Sequence, residues 1–196
     1  MEVAIVKYNA GNLFSVVHAL NRLGISPIIT DDAEQLSRAD KILFPGQGHA
    51  RTTMEYIREH RLDQIILDLK QPVLGICVGQ QLMCRHSEEG NVDCLGIFDV
   101  EVKHFLPSRH EDKVPHMGWN SLTHLQTPLF HELPENSFVY FVHSYYVPVC
   151  DWTIAQSNYI NPFSAALHKD NFYATQFHPE KSGSVGEKIL RNFLDL

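Results

Sequence analysis

The chain has 196 residues, 44% of them hydrophobic, and a formal charge of −7 with both signs spread along its length. That supplies one well-formed core and too little for two, so a single domain over 1–196 is expected. The acidic balance argues against a nucleic-acid surface, and no apolar stretch approaches the roughly 18 residues that cross a bilayer, so a protein with small-molecule chemistry and no membrane contact fits best.

The 4 cysteines form no C-x-x-C pair and no zinc-type spacing, so reduced thiols in a cytoplasmic protein are the simplest account. The 12 histidines are scattered and include no H-E-x-x-H, so no metal site is expected. The opening MEVAIVKY reads as a strand rather than a secretory leader.

Along the chain, Glu2 to Lys7 alternates and is rich in strand formers, and Tyr8 to Gly11 makes a turn. Leu13, Val16, Val17 and Leu20 recur at helical spacing, with Gly24 closing that helix. Pro27 to Thr30 predicts a second strand, and Lys41 to Phe44 a third, stopped by Pro45-Gly46. Helical stretches follow through Met54, Ile57 and Arg58, and through Ile65, Ile66 and Leu69. Strands alternating with helices in this way point to β-α-β units and a parallel sheet.

The run Val73 to Gly79 then holds one cysteine between glycines, before a helix-compatible stretch Gln80 to Arg85. It reads as strand, sharp turn and helix with the Cys77 thiol at the apex. At such an elbow a nucleophile stands clear of the chain, and the first amides of the helix favour thiolate and any oxyanion formed nearby. A free cysteine usually just fills space, and that reading stands for Cys84, Cys94 and Cys150, with Cys84 on one side of the helix. Cys77 differs because its flanking glycines have no use in a plain core strand.

Beyond about Gly90 short strands follow one another: Ile97 to Phe105, Trp119 to Leu125, Phe138 to Val142, Thr153 to Ser157, Phe163 to Leu167 and Phe172 to Phe177. These predict antiparallel additions to the sheet. A last helix, Val185 to Leu196, carries Ile189, Leu190, Phe193 and Leu194 on one face, with Ser182 or Ser184 as N-cap.

Gln176-Phe177-His178-Pro179-Glu180 supplies what Cys77 needs. His178 follows a strand, at the sheet edge where ligands of open α/β sheets bind, and can take the thiol proton. Glu180 can accept a hydrogen bond from the imidazole and fix its tautomer. A histidine and a glutamate two apart also fit a solvated turn, so the pair gains weight only beside Cys77. Pro45-Gly46-Gln47-Gly48, after another strand, can bring backbone amides to a reacting carbonyl. With Val78 it would form an oxyanion hole worth about 3 kcal/mol per donor. Without Cys77 it would read as an ordinary loop.

P-G-Q-G at 45–48, G-I-C-V-G-Q-Q-L at 75–82 and Q-F-H-P-E at 176–180, in that order, resemble class I, triad-type glutamine amidotransferases over essentially the whole chain. The resemblance implies an α/β fold of three layers: an open sheet, mostly parallel at its centre with antiparallel additions, and helices on both faces. It implies Cys77 as nucleophile, His178 as general base then acid, and Glu180 as orienter. The backbone of Gly46, Gln47, Gly48 and Val78 falls at the oxyanion site, and Gln81 near the substrate glutamine. No cofactor is implied.

Within the class, Pro115 to Asn120, Tyr140 to Tyr145 and Asn9 to Leu13 are similar to the glutaminase subunits of imidazole glycerol phosphate synthases. Val78 stands where leucine is usual there, but only its amide is required. This similarity implies that ammonia passes to a (β/α)8-barrel cyclase subunit in a heterodimer, which makes imidazole glycerol phosphate and AICAR in histidine biosynthesis. It implies that His143, Ser144 and Tyr145 help hold glutamine, and that Asn12, Pro115, His116, Met117, Gly118, Trp119, Asn120 and Lys181 lie toward the partner. The loop Gly46 to Gly48 is expected to present its donor only in the assembled, ligand-bound state.

Other readings stay open on the residues themselves. Pro115 to Asn120 also fits a β-bend around a core tryptophan. The same glutaminase could serve another acceptor, such as a surface-sugar pathway, and a non-catalytic binding module would keep the fold without turnover.

Overall fold

The computed structural model describes residues 1–8, 13–46 and 48–196. Its first half winds strands and helices alternately: β1 (Val3–Val6), α1 (Phe14–Arg22), β2 (Ile28–Thr30), α2 (Ala33–Arg38), β3 (Lys41–Gly46), α3 (Ala50–Glu59), α4 (Leu62–Asp68), β4 (Val73–Cys77) and α5 (Val78–Leu82). There follow β5 (Cys84–Ser87), β6 (Val92–Asp93), β7 (Phe98–His104), β8 (His116–Ser121), β9 (Phe138–His143), β10 (Tyr145–Tyr146), β11 (Thr153–Asn158), β12 (Pro162–Lys169), β13 (Phe172–Thr175) and α6 (Gly183–Leu194).

The main sheet has the order β11-β12-β13-β4-β3-β1-β2. Its centre, from β2 through β1, β3 and β4 to β13, is parallel, and β12 and β11 add antiparallel strands at one edge. Strand alternation divides the core into two. Val3, Ile5, Leu43, Leu74 and Ile76 share one cluster with Val16 and Leu20 of α1 and Ile189 and Phe193 of α6. Ala4, Val6, Ile42, Phe44 and Val73 share the other with Leu36 of α2, Met54 and Ile57 of α3, and Ile66 of α4. Because the parallel strands are covered on both faces, they read as apolar runs rather than amphipathic ones. The expected architecture, a three-layer α/β fold with a mostly parallel centre, is the one observed.

Four local expectations are corrected. Pro45-Gly46 does not stop β3, which continues until Gly46 stands opposite Cys77. The helix after the elbow ends at Leu82 rather than running to Arg85, and Cys84 opens a strand. The carbonyls that would carry the helix onward are claimed from outside, since Leu95 N bonds Leu82 O, Phe98 N bonds Met83 O and Gly96 N bonds Cys84 O. Only β11 and β12 extend the main sheet with antiparallel pairing. The strands β7 and β8–β9 belong to two smaller sheets, β10-β7-β5-β6 and β8-β9, and β5 pairs with β7 in parallel.

The fourth concerns the last helix. It starts earlier, at Gly183, and Ser184 lies inside it. Ser182 stands at the N-cap position but makes no side-chain cap bond there. Its hydroxyl instead donates to His178 O at 2.6 Å and accepts from Tyr140 N at 2.9 Å.

Candidate active site

The elbow is built by close approach of two backbones. Cys77 has φ 55° and ψ −111°, a conformation that L-residues rarely adopt and that structures retain mostly at functional sites. It is forced by how tightly β3 lies against α5. A Cβ on Gly79 would stand 2.0 Å from Phe44 O, and one on Gly46 would stand 2.1 Å from Gly79 N. Neither position admits a side chain, so the chain turns abruptly between them with the thiol at the corner. The Tyr8 hydroxyl donates to Pro45 O and secures the end of β3.

The second half of the site hangs from the end of β13. The parallel pairing of β13 with β4 brings Thr175 level with Ile76, so the segment that follows runs out beside Cys77. His178 N donates to Tyr140 O at 2.9 Å, tying the turn to β9. Its ring Nδ1 bonds Glu180 Oε1 at 2.8 Å, and both side chains are nearly fully buried, at 3% and 2% exposure. The carboxylate can only accept, so Nδ1 carries the proton and Nε2 faces the thiol chemistry. That Nε2 is buried and has no hydrogen-bond partner among the described residues. Burial opposes a charge on His178, yet the Cys77 sulfur and the Glu180 carboxylate outweigh it and push the imidazole up to about 10. A protonated His178 is the state these contacts favour.

A cleft of ≈ 430 Å³ opens over the sulfur. Gly46, Gly48 and Val78 line it, as do Gln81, His143, Ser144 and Tyr145. His178, Pro115 and Lys181 also reach it. The residues expected for nucleophile, base, oxyanion donors and substrate pocket therefore share one cleft, except that Gln47 lies outside the described residues. Glu180 stands behind His178 rather than in the cleft.

Two expected roles are narrowed by geometry. Gln81 uses its amide hydrogens on Tyr145 O at 3.1 Å and Gln176 Oε1 at 2.9 Å, so toward a substrate it can only accept. His143 is buried, donates from Nδ1 to Tyr145 O at 2.7 Å, and is pushed by burial down to about 3. It is neutral and cannot bind a carboxylate as a cation.

Three residues at the site escaped the sequence reading. Glu89 lines the cleft and is the one carboxylate to do so among the described residues. Its Oε2 accepts from Ala50 N at the start of α3, at 2.8 Å. Val142 presents its carbonyl to Cys77 Sγ at 3.8 Å. Gln176 places its amide nitrogen 3.7 Å from the same sulfur. Glu89 sits in a turn without periodicity or motif, and a carbonyl leaves no trace in residue type. Gln176 did carry a signal, its place at the head of the His178 segment.

The segment expected to face a partner divides by strand alternation. Met117 and Trp119 of β8 are 63% and 55% exposed, and Phe138 of β9 is 56% exposed. Trp119 is thus no core residue, and the packing alternative for it is excluded. His116 is buried and stacks on Phe141 and Tyr159, at 4.9 and 4.1 Å between ring centroids. Its side chain cannot be an outward contact, which corrects that expectation. Asn120 is half-buried and donates to Asn158 O at 3.0 Å. Gly118 lies opposite Phe141 on the inner face of the hairpin. Asn12 lies outside the described residues. No group of three His, Cys, Asp or Glu side chains among the described residues is placed to hold a metal ion.

Comparison with known proteins gives one answer at two levels. The family model described as Glutamine amidotransferase class-I matches residues 5–196. A protein of Bacteroides thetaiotaomicron named Imidazole glycerol phosphate synthase subunit HisH is 65% identical over 196 residues, covering the whole of both chains. The protein of the same name from Escherichia coli is 46% identical over 202 residues, again covering both. Among solved structures, PurLQS from Thermotoga maritima matches with a TM-score of 0.71 at 18% identity, covering 99% of this chain and 97% of that one, a likeness of fold.

Proposed function

The chain belongs to the glutamine amidotransferase class-I family, and from that premise we propose that residues 1–196 act as one domain that hydrolyses L-glutamine to glutamate and ammonia for use by a partner subunit. The observation that carries this reading is the Cys77 elbow with His178 and Glu180 assembled beneath one cleft. The thiolate attacks the side-chain amide carbon, forming the S–C bond while the carbonyl electrons move to oxygen. Amides of the Gly46–Gly48 loop and of Val78 take up that oxyanion. The intermediate collapses, the C–N bond breaks, and His178 gives its proton to the departing nitrogen. Water, deprotonated by the now neutral His178, then cleaves the thioester to glutamate and restores the pair.

Substrate recognition follows from the charges of the cleft. An amino-acid substrate brings an ammonium that Glu89 can take, and Gln81 Oε1 is an acceptor for an N–H of the substrate. Glu89→Gln should therefore raise KM for glutamine about tenfold or more, the cost of losing one charge-assisted hydrogen bond, with a smaller effect on kcat. Steady-state kinetics decides it, and an unchanged KM removes Glu89 from the pocket.

The outward face of β8 and β9 supports a partner at the mouth of the cleft. Trp119 lies opposite Tyr140 and Met117 opposite Val142, and Val142 also lines the cleft. An apolar face continuous with the site suits a subunit that seals it and receives ammonia before water protonates it. We take that subunit to be a (β/α)8-barrel cyclase of histidine biosynthesis. With the partner and its substrate present, the protein should release glutamate from glutamine, and Cys77→Ala should abolish this. Glutamate release by the alanine variant would sink the mechanism. Loss of the chain in its own organism should impose a histidine requirement, and growth without histidine would redirect the ammonia to another acceptor.

A further inference from the structure

We propose that Gln176 is a positioning residue for the nucleophile, its Nε2–H donating to Cys77 Sγ so that the sulfur is held as thiolate and aimed into the cleft. The inference rests on Cys77 being the nucleophile and adds a residue outside the Cys77–His178–Glu180 set. Gln176 is fully buried, and its two polar ends are both engaged: Nε2 lies 3.7 Å from Cys77 Sγ, and Oε1 lies 2.9 Å from Gln81 Nε2.

The direction of the amide is not arbitrary. Tyr145 O can only accept, so the Gln81 side chain at 3.1 Å must present its NH2 group there. The second hydrogen of that group then points to Gln176, whose carbonyl must receive it. The nitrogen end of Gln176 is left for the sulfur. Tyr145 O is itself fixed by a second donor, His143 Nδ1 at 2.7 Å. That ring's Nε2 is then an acceptor and takes the Nδ1–H of His116 at 3.0 Å. The hydrogen-bond network from His116 to Sγ, in which two donors meet at Tyr145 O, has one consistent assignment while both imidazoles are neutral, as burial keeps them.

The two neighbours of the sulfur favour opposite protonation states. Val142 O at 3.8 Å welcomes a thiol proton and repels a thiolate. The Gln176 amide does the reverse, because a donor stabilises the charged form. Removing it tilts Cys77 toward the thiol, misaligned against Val142 O. The other ionisable groups about the sulfur are His178 from the turn after β13, Glu180 behind it, His143 from the end of β9, and Tyr145, Glu89 and Lys181, which line the same cleft. All of them remain in a Gln176 variant.

The test is the pH dependence of iodoacetamide alkylation at Cys77 in the full-length chain, read from the mass of the peptide that carries it. Gln176→Met keeps the length of the side chain and removes the donor. Its half-point for alkylation should move up by about one pH unit, with kcat falling more than KM rises. Gln80→Met is the control. Gln80 is just as buried, and its amide bonds Ser164 O at 3.1 Å without touching the sulfur. Its half-point should stay at the wild-type value.

A wild-type half-point in folded Gln176→Met, or an equal shift in Gln80→Met, overturns the role. If Gln176→Met does not fold, Gln176→Glu replaces it, because it keeps an acceptor for Gln81 Nε2 and removes the N–H toward the sulfur. The same upward shift is expected there, and its absence overturns the proposal. Failure of the underlying reading would look different: Cys77→Ala would then still hydrolyse glutamine, whatever the alkylation profiles.

Discussion

The backbone of Cys77 sits at φ 55° and ψ −111°, where an L side chain costs on the order of 1–3 kcal/mol. The cost attaches to having a Cβ there, not to sulfur. Among variants that lack the thiol, Cys77→Gly should be more stable than Cys77→Ala by about 1 kcal/mol, despite the greater chain entropy of glycine. Thermal unfolding measures it, and an alanine variant melting at or above the glycine variant would show that the elbow is relaxed.

His178 is the other residue with a measurable signature. Its partners raise it from the ordinary histidine value of 6.5 to about 10. A raised value means the imidazolium stays charged through neutral pH and is lost as pH climbs through the folded value. Its contribution to stability is complete below the ordinary value and fades over the same climb. In the proposed mechanism the departing ammonia takes that proton, so glutaminase activity should fall on the basic side as pH approaches about 10. Glu180→Gln removes one of the groups holding the proton and should move this limb to lower pH. A limb that stays in place would mean that Glu180 does not act on the imidazole.

The elbow is a meeting of two elements, β3 and α5, and its tolerance is set by backbone spacing. Gly79→Ala would put a Cβ 2.0 Å from Phe44 O, a contact with a carbonyl that no rotamer can avoid. The variant should lose about 3 kcal/mol or more, because β3 must part from α5. Chemical denaturation measures it, and a loss under 1 kcal/mol would show that the strand yields easily. This arrangement was legible in outline. Glycines around a cysteine after an apolar run announce a crowded turn, and the alternation of helical and β-rich segments announces parallel strands.

What the residues did not announce was pairing that depends on distant partners. Pro45-Gly46 looks like a stop, yet it remains in β3 because its neighbour β4 carries the register on to Cys77. Gln80 to Arg85 looks helical, yet amides from residues 95–98 capture its carbonyls and turn Cys84 into a strand. Gln176, Gln81 and His143 meet about Cys77 from three separate stretches of chain. Their bond directions follow from a single carbonyl, at Tyr145, and a carbonyl is present at every position whatever the sequence.

At the scale of the whole molecule the parallel centre directs everything reactive to one sheet edge, where Cys77 and the His178 segment emerge side by side. The β8–β9 hairpin closes this edge, and its two faces have divided work. The inner face holds His116 and His143 in a buried relay. The outer face leaves Trp119, Met117 and Phe138 more than half exposed, a contiguous apolar surface of the kind that marks association.

A large aromatic at the centre of such a patch typically contributes 2 kcal/mol or more to binding. Its removal costs the isolated chain little, because its ring is mostly in water already. Trp119→Ala should therefore keep the melting temperature within about 2 °C and weaken partner binding about thirtyfold or more. Calorimetric titration against the partner, beside a melting curve, separates the two quantities. Unchanged affinity would move the interface off this hairpin. A large drop in melting temperature would instead give Trp119 a role inside the fold, against its exposure.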